Sequence, residues 1–155
     1  NILCISGPQI SITTKERVLG CWKAVKEIGD PNGFCIKGNQ LSIQNGYMET
    51  MLALNRQTRP TAIFALSNTI LLGVIEAINE LKLRIPEDVS LISFDDDIYL
   101  DYLNPPITRV AQPISSIGRT ALKLLVDSIK NNQPINSTII MTPKIIKRNS
   151  IKLLR

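Results

Sequence analysis

The stretch Pro60-Thr61-Ala62-Ile63-Phe64-Ala65-Leu66-Ser67-Asn68-Thr69-Ile70-Leu71-Leu72-Gly73 decides the fold, together with Val89-Ser90-Leu91-Ile92-Ser93-Phe94-Asp95-Asp96-Asp97 further on. Thr61 to Leu66 and Val89 to Phe94 are continuous apolar runs bounded by turn residues, the pattern of fully buried strands. Between them, from about Thr69 to Leu81, Leu72, Ile75, Ala77 and Ile78 recur at helical spacing. A strand apolar on both faces, then a helix, then another such strand is the signature of a parallel sheet with helices on both sides.

The order extends in both directions. Ile2 to Ile5 is a short strand stopped by Ser6-Gly7-Pro8, after which Thr13 or Thr14 caps a helix carrying Val18, Cys21, Trp22, Val25 and Ile28 and ended by Gly29. Phe34 to Ile36 is a brief strand, and Ser42 opens a helix with Tyr47, Met51 and Leu54. Past Asn104-Pro105-Pro106 come a short strand from Thr108 to Ala111, then Pro113 and a helix from about Ile117 to Ile129. That helix is amphipathic through Ala121, Leu124, Leu125 and Ser128, and an extended piece follows from Ile139 to Ile146. We read the chain as α/β, a doubly wound parallel sheet, in which ligands bind beyond the carboxyl ends of the strands. The informative polar residues are those just after each strand.

With 155 residues, 44% hydrophobic and 20% charged, the chain has enough apolar side chains for one core, and wholesale disorder is excluded. No apolar run approaches the roughly 18 residues of a membrane span, so no membrane role is expected. The start lacks both an initiator Met and a charged leader, which reads as a fragment. Cys4, Cys21 and Cys35 fit neither a zinc knuckle nor a disulfide framework and point to a reducing cytoplasm. With no histidine in the chain, Ser-His-Asp and Cys-His catalysis and His-ligated zinc are excluded. An enzyme would need carboxylates or lysine, and an α/β enzyme has only the aspartate cluster to recommend it. The net charge of +5 comes from Lys144, Lys147, Arg148, Lys152 and Arg155, because residues 1–141 carry 13 basic and 13 acidic side chains. A basic tail is not the folded, base-reading face of a DNA-binding domain.

Asp95-Asp96-Asp97 stands at a strand end, where acidic side chains can hold Mg²⁺ or grip hydroxyls. Neighbouring side chains in extended backbone point to opposite sides, so the cluster converges on a metal only through a tight turn. The preferred reading is a small-molecule contact at Asp95 and no metal, with plain loop acidity as the alternative. Arg17 lies near the start of the first helix, facing the strand ends with Ser67 and Asn68. It is either a surface arginine beside Glu16 or a bidentate donor to a ligand.

These residues also carry a resemblance. Pro60 to Gly73, Arg84-Ile-Pro-Glu-Asp-Val-Ser-Leu-Ile-Ser-Phe-Asp-Asp96, Pro105-Pro-Ile-Thr-Arg-Val-Ala-Gln-Pro113, Arg148-Asn-Ser150, Arg17-Val-Leu-Gly20 and Gly46-Tyr47 resemble the effector-binding domain of the LacI/GalR family of bacterial transcription regulators. The resemblance covers essentially the whole chain. It implies the C-terminal subdomain of a type I periplasmic-binding-protein-like fold for residues 1–108. It implies that residues 109–139 are a crossover strand and helix belonging to an N-terminal subdomain outside this chain, and that 140–155 are a return strand and basic tail. No cofactor or catalysis is implied. A small-molecule effector, a sugar or related polyol, would lie in the cleft between subdomains against Arg17, Asp95, Ser67, Leu41 and Gln112. Leu41 stands where an aromatic residue often stacks on the ligand, Ser67-Asn68 where Asn-Asp is usual, and Arg109 where Thr is usual. The resemblance further implies a homodimer through the helix from Thr69 and the segment Ile98 to Asn104, with Ile70, Val74, Tyr99 and Tyr102 in the interface. Operator DNA would be reached only through a headpiece outside this chain. A solute receptor for uptake or chemotaxis shares the fold and is the alternative.

Overall fold

Two serines set the starts of the helices that close the core. In the computed structural model, which describes residues 1–28 and 31–153, Ser42 accepts a hydrogen bond from Asn45 N at 3.1 Å and caps α2 (Ile43–Leu54). Ser67 accepts one from Ile70 N at 3.2 Å and caps α3 (Asn68–Glu80). Each satisfies an N–H that the first helical turn leaves unpaired. The remaining helices are α1 (Ile12–Ile28) and α4 (Ile114–Asn131). The strands are β1 (Ile2–Ile5), β2 (Phe34–Lys37), β3 (Ala62–Ala65), β4 (Ser90–Phe94), β5 (Thr108–Ala111) and β6 (Lys144–Ile146). The end expected for α1 at Gly29 and the last basic residue, Arg155, lie outside the described residues.

The strands form one sheet in the order β2-β1-β3-β4-β5-β6. The first five are mutually parallel and in register, with Ile5 opposite Ala65 and Ala65 opposite Ser93, so their carboxyl ends line up on one edge of the molecule. β6 pairs antiparallel to β5, Val110 opposite Ile145. From β1 the chain moves one way to β2 and then the other way to β3 and β4. Right-handed crossovers therefore put α1 on one face and α2 with α3 on the other. The α/β, doubly wound reading holds.

The core lies between the sheet and α2 and α3. Leu3, Ile5, Ile63, Ala65 and Leu91 from the strands meet Leu54, Ile70, Leu71, Val74 and Ile78 from the helices. The α1 face is thinner, since Phe64, Ile92 and Phe94 on alternate strand positions are only half-buried.

Four expectations need correction. α1 begins at Ile12, so Thr13 and Thr14 lie inside its first turn, and it is Ser11 whose Oγ accepts from Thr14 N at 3.5 Å. α4 begins at Ile114, a turn before Ile117, because the restricted φ and missing N–H of Pro113 cost nothing at a helix start. The final strand is confined to Lys144–Ile146 and does not reach back to Ile139, since only those residues lie beside β5. Ile70 and Val74 are not surface residues: both are 0% exposed inside the α2–α3 core, so neither side chain can meet a second subunit. From Ile70 to Ile78 every residue of α3 except Glu76 is apolar, and its core stripe passes through 70, 71, 74, 77 and 78. Tyr99 is half-buried against the same core, while Tyr102, at 80% exposed, together with Ile98 and Leu72, remains on the surface.

Candidate functional site

Parallel register brings the residues after β1, β3, β4 and β5 together. Arg17, in the second turn of α1, donates from Nη1 to the carbonyl oxygen of Leu66, just past β3, at 2.7 Å. Its guanidinium lies over the Phe94 ring at 3.8 Å from the centroid. Nη2 stands 3.5 Å from Asp95 Oδ1. Stacking and a backbone acceptor fix the plane of the guanidinium, as a planar fork requires. Asp95 follows β4 directly. Its φ of +81° lies in the left-handed region that aspartate tolerates better than most residues, and its N–H donates to Val110 O at 3.0 Å. Gln112, just after β5, donates from Nε2 to Asp95 Oδ1 at 2.6 Å. Arg17, Asp95 and Gln112 thus form one chain of contacts across α1, β4 and β5. Arg17 and Asp95 keep 20% and 28% of their side chains open to solvent.

The other two expected site residues stand beside this trio without being bonded to it. Ser67 is buried and its hydroxyl oxygen is already committed to Ile70 N, so it positions α3 first. Its neighbour Asn68 accepts from Ser93 Oγ at 3.4 Å. Leu41 is 53% exposed in the loop after β2. It lies over Gly7, where a Cβ would come within 2.6 Å of Leu41 Cδ2. Asn45 holds this loop by donating to Ser6 O at 3.2 Å and Gln40 O at 2.7 Å. Leu41 therefore sits at the carboxyl end of β1, next to Thr14, one turn before Arg17.

The aspartates diverge as alternation requires. Asp95 turns to Arg17, whereas Asp96 Oδ1 is 2.6 Å from Arg109 Nε. Arg109 is 3% exposed and grips Asp101 through two bonds, Nη1 to Oδ1 at 2.9 Å and Nη2 to Oδ2 at 3.0 Å. Arg148 Nε reaches the same Asp101 Oδ1 at 2.7 Å. Hydrogen bonds from Arg109 and then Arg148 hold the Asp101 carboxyl well below the usual carboxylate range, and Asp101 in turn raises Arg109. One carboxylate thus ties β5 to the segment after β6. Sequence reading noticed Arg109 only as a departure from Thr and did not find this network, nor Phe94 as the platform under Arg17. Among the described residues no group of three His, Cys, Asp or Glu side chains could hold a metal ion.

A depression lies elsewhere, at the amino ends of β1 and β2, lined by Ile2, Leu3, Cys35, Glu49, Leu52 and Arg56. None of the Arg17–Asp95 residues lines it.

Residues 9–151 match the model of the periplasmic binding protein-like domain. The helix-turn-helix-type transcriptional repressor PurR of Vibrio vulnificus is 32% identical over 153 residues, 97% of this chain and 46% of the repressor. PurR of Klebsiella pneumoniae subsp. pneumoniae is 34% identical, over 95% of this chain and 43% of the repressor. The chain therefore spans less than half the length of these curated relatives. Among solved structures, a putative transcriptional regulator LacI from Bacillus cereus subsp. cytotoxis superposes with a TM-score of 0.90 at 29% identity, covering 99% of this chain and 55% of that one. A putative LacI-family repressor from Corynebacterium glutamicum gives 0.88 at 26%, over 97% and 57%. The chain belongs to the periplasmic binding protein-like family and corresponds to the C-terminal part of a LacI/GalR effector-binding domain.

Proposed function

We propose that this chain supplies one wall of the effector cleft of a cytoplasmic bacterial transcription regulator, and that Arg17 and Asp95 are its principal contacts. The observation that carries the reading is the Arg17–Asp95–Gln112 chain: a fixed guanidinium fork and a carboxylate side by side at the strand ends, both partly open to solvent. A donor fork beside an acceptor suits vicinal hydroxyls, which present both, so the effector is a sugar or related polyol. Leu41 offers a small apolar contact beside it.

Residues 109–139 lead to the opposite wall, contributed by a subdomain outside this chain, and residues 140–155 return. A ligand that contacts both walls favours the closed arrangement by its differential affinity, which changes the placement of operator-binding headpieces in a homodimer. Exposed Tyr102, Ile98 and Leu72 suit a two-fold contact. Relatives named as repressors support regulation over a solute receptor. No catalytic step is needed.

The test is calorimetry of the intact regulator against a panel of monosaccharides and polyols. A hydrogen bond to a charged group is worth about 1.5–3 kcal/mol, so Arg17→Met or Asp95→Asn should weaken the best ligand by roughly 10- to 100-fold. Unchanged affinity in both variants would remove the pair from the site.

A further inference from the structure

Two successive residues of β5 hold two successive residues of the loop that follows β4. Val110 O accepts from Asp95 N at 3.0 Å, and Arg109 Nε donates to Asp96 Oδ1 at 2.6 Å. The rest of the Arg109 guanidinium is committed to Asp101, with Nη1 also donating to Ile107 O at 3.3 Å. All three nitrogens of a rigid planar fork are thereby engaged in a side chain that is 3% exposed. The fork has one orientation, and it fixes where Asp96 sits. Asp97, the next residue, makes no side-chain cap bond to the helical turn Ile98–Asp101. Beyond Asp95, the loop is therefore fastened to β5 through Asp96.

We propose that Arg109 is a positioning residue for Asp95: through Asp96 it keeps Asp95 in the left-handed conformation that turns the carboxylate toward Arg17 and Gln112. A non-glycine residue at a φ of +81° relaxes to extended backbone unless its surroundings over-determine it. Here the surroundings act from both sides. On the amino side Phe94 is locked in β4 opposite Val110. On the carboxyl side Arg109 grips Asp96, and because the fork is buried, giving up that bond would leave a desolvated donor unpaired. Released from Arg109, Asp95 and Asp96 relax together. The Asp95 N–H then loses Val110 O, and the carboxylate leaves Arg17 Nη2, now 3.5 Å away. The consequence for ligand binding rests on the reading of Arg17 and Asp95 as effector contacts, whereas the hold on Asp95 does not.

The test is residue-resolved hydrogen exchange by NMR on the full chain. It compares the Asp95 N–H with the Leu91 N–H of β4, which donates to Ser150 O at 2.8 Å and reports opening of the sheet. Losing one charge-assisted bond is a factor of roughly 10 to 100, so Asp96→Ala and Arg109→Met should speed exchange at Asp95 by about that factor relative to Leu91. Asp96→Asn keeps an acceptor oxygen for Arg109 Nε and should restore most of the protection. Asp101→Asn leaves the Asp96 contact in place and should speed Leu91 at least as much as Asp95. A network that only staples β5 to the following turn would give that last pattern in Asp96→Ala and Arg109→Met as well, and this result would overturn the proposal. Asp96 is 37% exposed, so Asp96→Ala decides the matter if Arg109→Met does not fold. Calorimetry of the intact regulator with D-glucose, D-galactose and D-ribose separates the two readings. Asp95→Asn without effect on a bound sugar would remove Asp95 from the effector site and leave the exchange result standing. Weaker binding by Asp95→Asn with parental binding by Asp96→Ala would overturn the positioning role.

Discussion

Gly46 of α2 and Gly73 of α3 lie where the two helix backbones touch. A Cβ on Gly46 would overlap the carbonyl oxygen of Ile70, and one on Gly73 would overlap that of Ile43. The contact is reciprocal and involves backbone on both sides, so neither neighbour can yield as a flexible side chain would. Alanine normally favours a helix interior over glycine by about 1 kcal/mol. Here that gain is outweighed by separating α2 from α3 over the main core, an overpacking cost of about 1–3 kcal/mol or more. Gly46→Ala and Gly73→Ala should each lower the urea midpoint, whereas Gly20→Ala, inside α1 and with nothing within 4 Å of its added Cβ, should raise it. A stabilised Gly73→Ala would show that the helices are not in backbone contact.

The Arg109 network gives a second expectation. Its guanidinium is 3% exposed and satisfies two carboxylates, but Asp96 and Asp101 remain 37% and 36% exposed. Breaking a fully buried pair costs about 3–5 kcal/mol. Solvent screening of these half-open carboxylates reduces that to about 1–2 kcal/mol for Arg109→Met. Arg109→Lys should recover little, because an ammonium cannot reproduce the two-point grip on Asp101. Equal stability of the lysine variant and the parent in urea melts would refute the bidentate role.

The acid response follows from the same geometry. Asp101 titrates lower in the folded chain than in the unfolded one, and Arg84 holds Asp88 down at about 2. As pH falls the unfolded chain binds these protons first. The stability they contribute is therefore complete above the ordinary carboxylate value of about 4 and is lost progressively below it. Asp101→Asn should flatten the decline of the urea midpoint below about pH 4 and leave its shape near neutrality unchanged. A decline as steep as the parent's would exclude Asp101 as a source of the acid sensitivity.

Much of the fold was legible because its signals are local. Thr61–Leu66 and Val89–Phe94 are too apolar to be anything but inner strands, and Ser42 marks a helix start through its bond to the residue three positions on. Arg17 and Asp95 could be read as neighbours because a parallel sheet brings strand ends together. Arg109 could not, because its partners lie 8 and 13 residues away and Arg148 reaches Asp101 across 47. The reading of Ile70 and Val74 as surface residues failed for a different reason. In a helix whose middle turns, from Ile70 to Ile78, are apolar but for Glu76, periodicity does not say which stripe faces the sheet, and Gly46 against Gly73 settles it.

Leu41 offers a specificity test that rests on the proposed site. An aromatic ring gives a sugar's apolar face more area and a defined stacking geometry than leucine does. With Leu41 exposed over Gly7, Leu41→Trp has room to present its ring outward. Monosaccharide affinity of the intact regulator, measured by calorimetry, should rise. No gain would mean that the loop after β2 does not face the ligand.

The last expectation concerns α4. It has the strongest apolar stripe of the four helices, yet buries no residue, and Ile114, Leu122, Leu125 and Ile129 are 61%, 63%, 52% and 71% exposed. Covering each such side chain is worth about 1.5–3 kcal/mol when complete. An 18-residue helix with no tertiary support is marginal in water. This chain by itself should therefore bring α4 faces together, and both the sedimentation coefficient and the helical signal should rise with concentration. Leu122→Lys with Leu125→Lys should abolish the association. Because α4 adds nothing to the core under α2 and α3, the same double substitution should leave the urea midpoint of the dilute chain unchanged. Half of the proposed cleft is outside this chain, so sugar affinity measured on it should be weak. Tight binding of one sugar by a strictly monomeric chain would show that the Arg17–Asp95 wall is sufficient and that α4 does not lead to a second one.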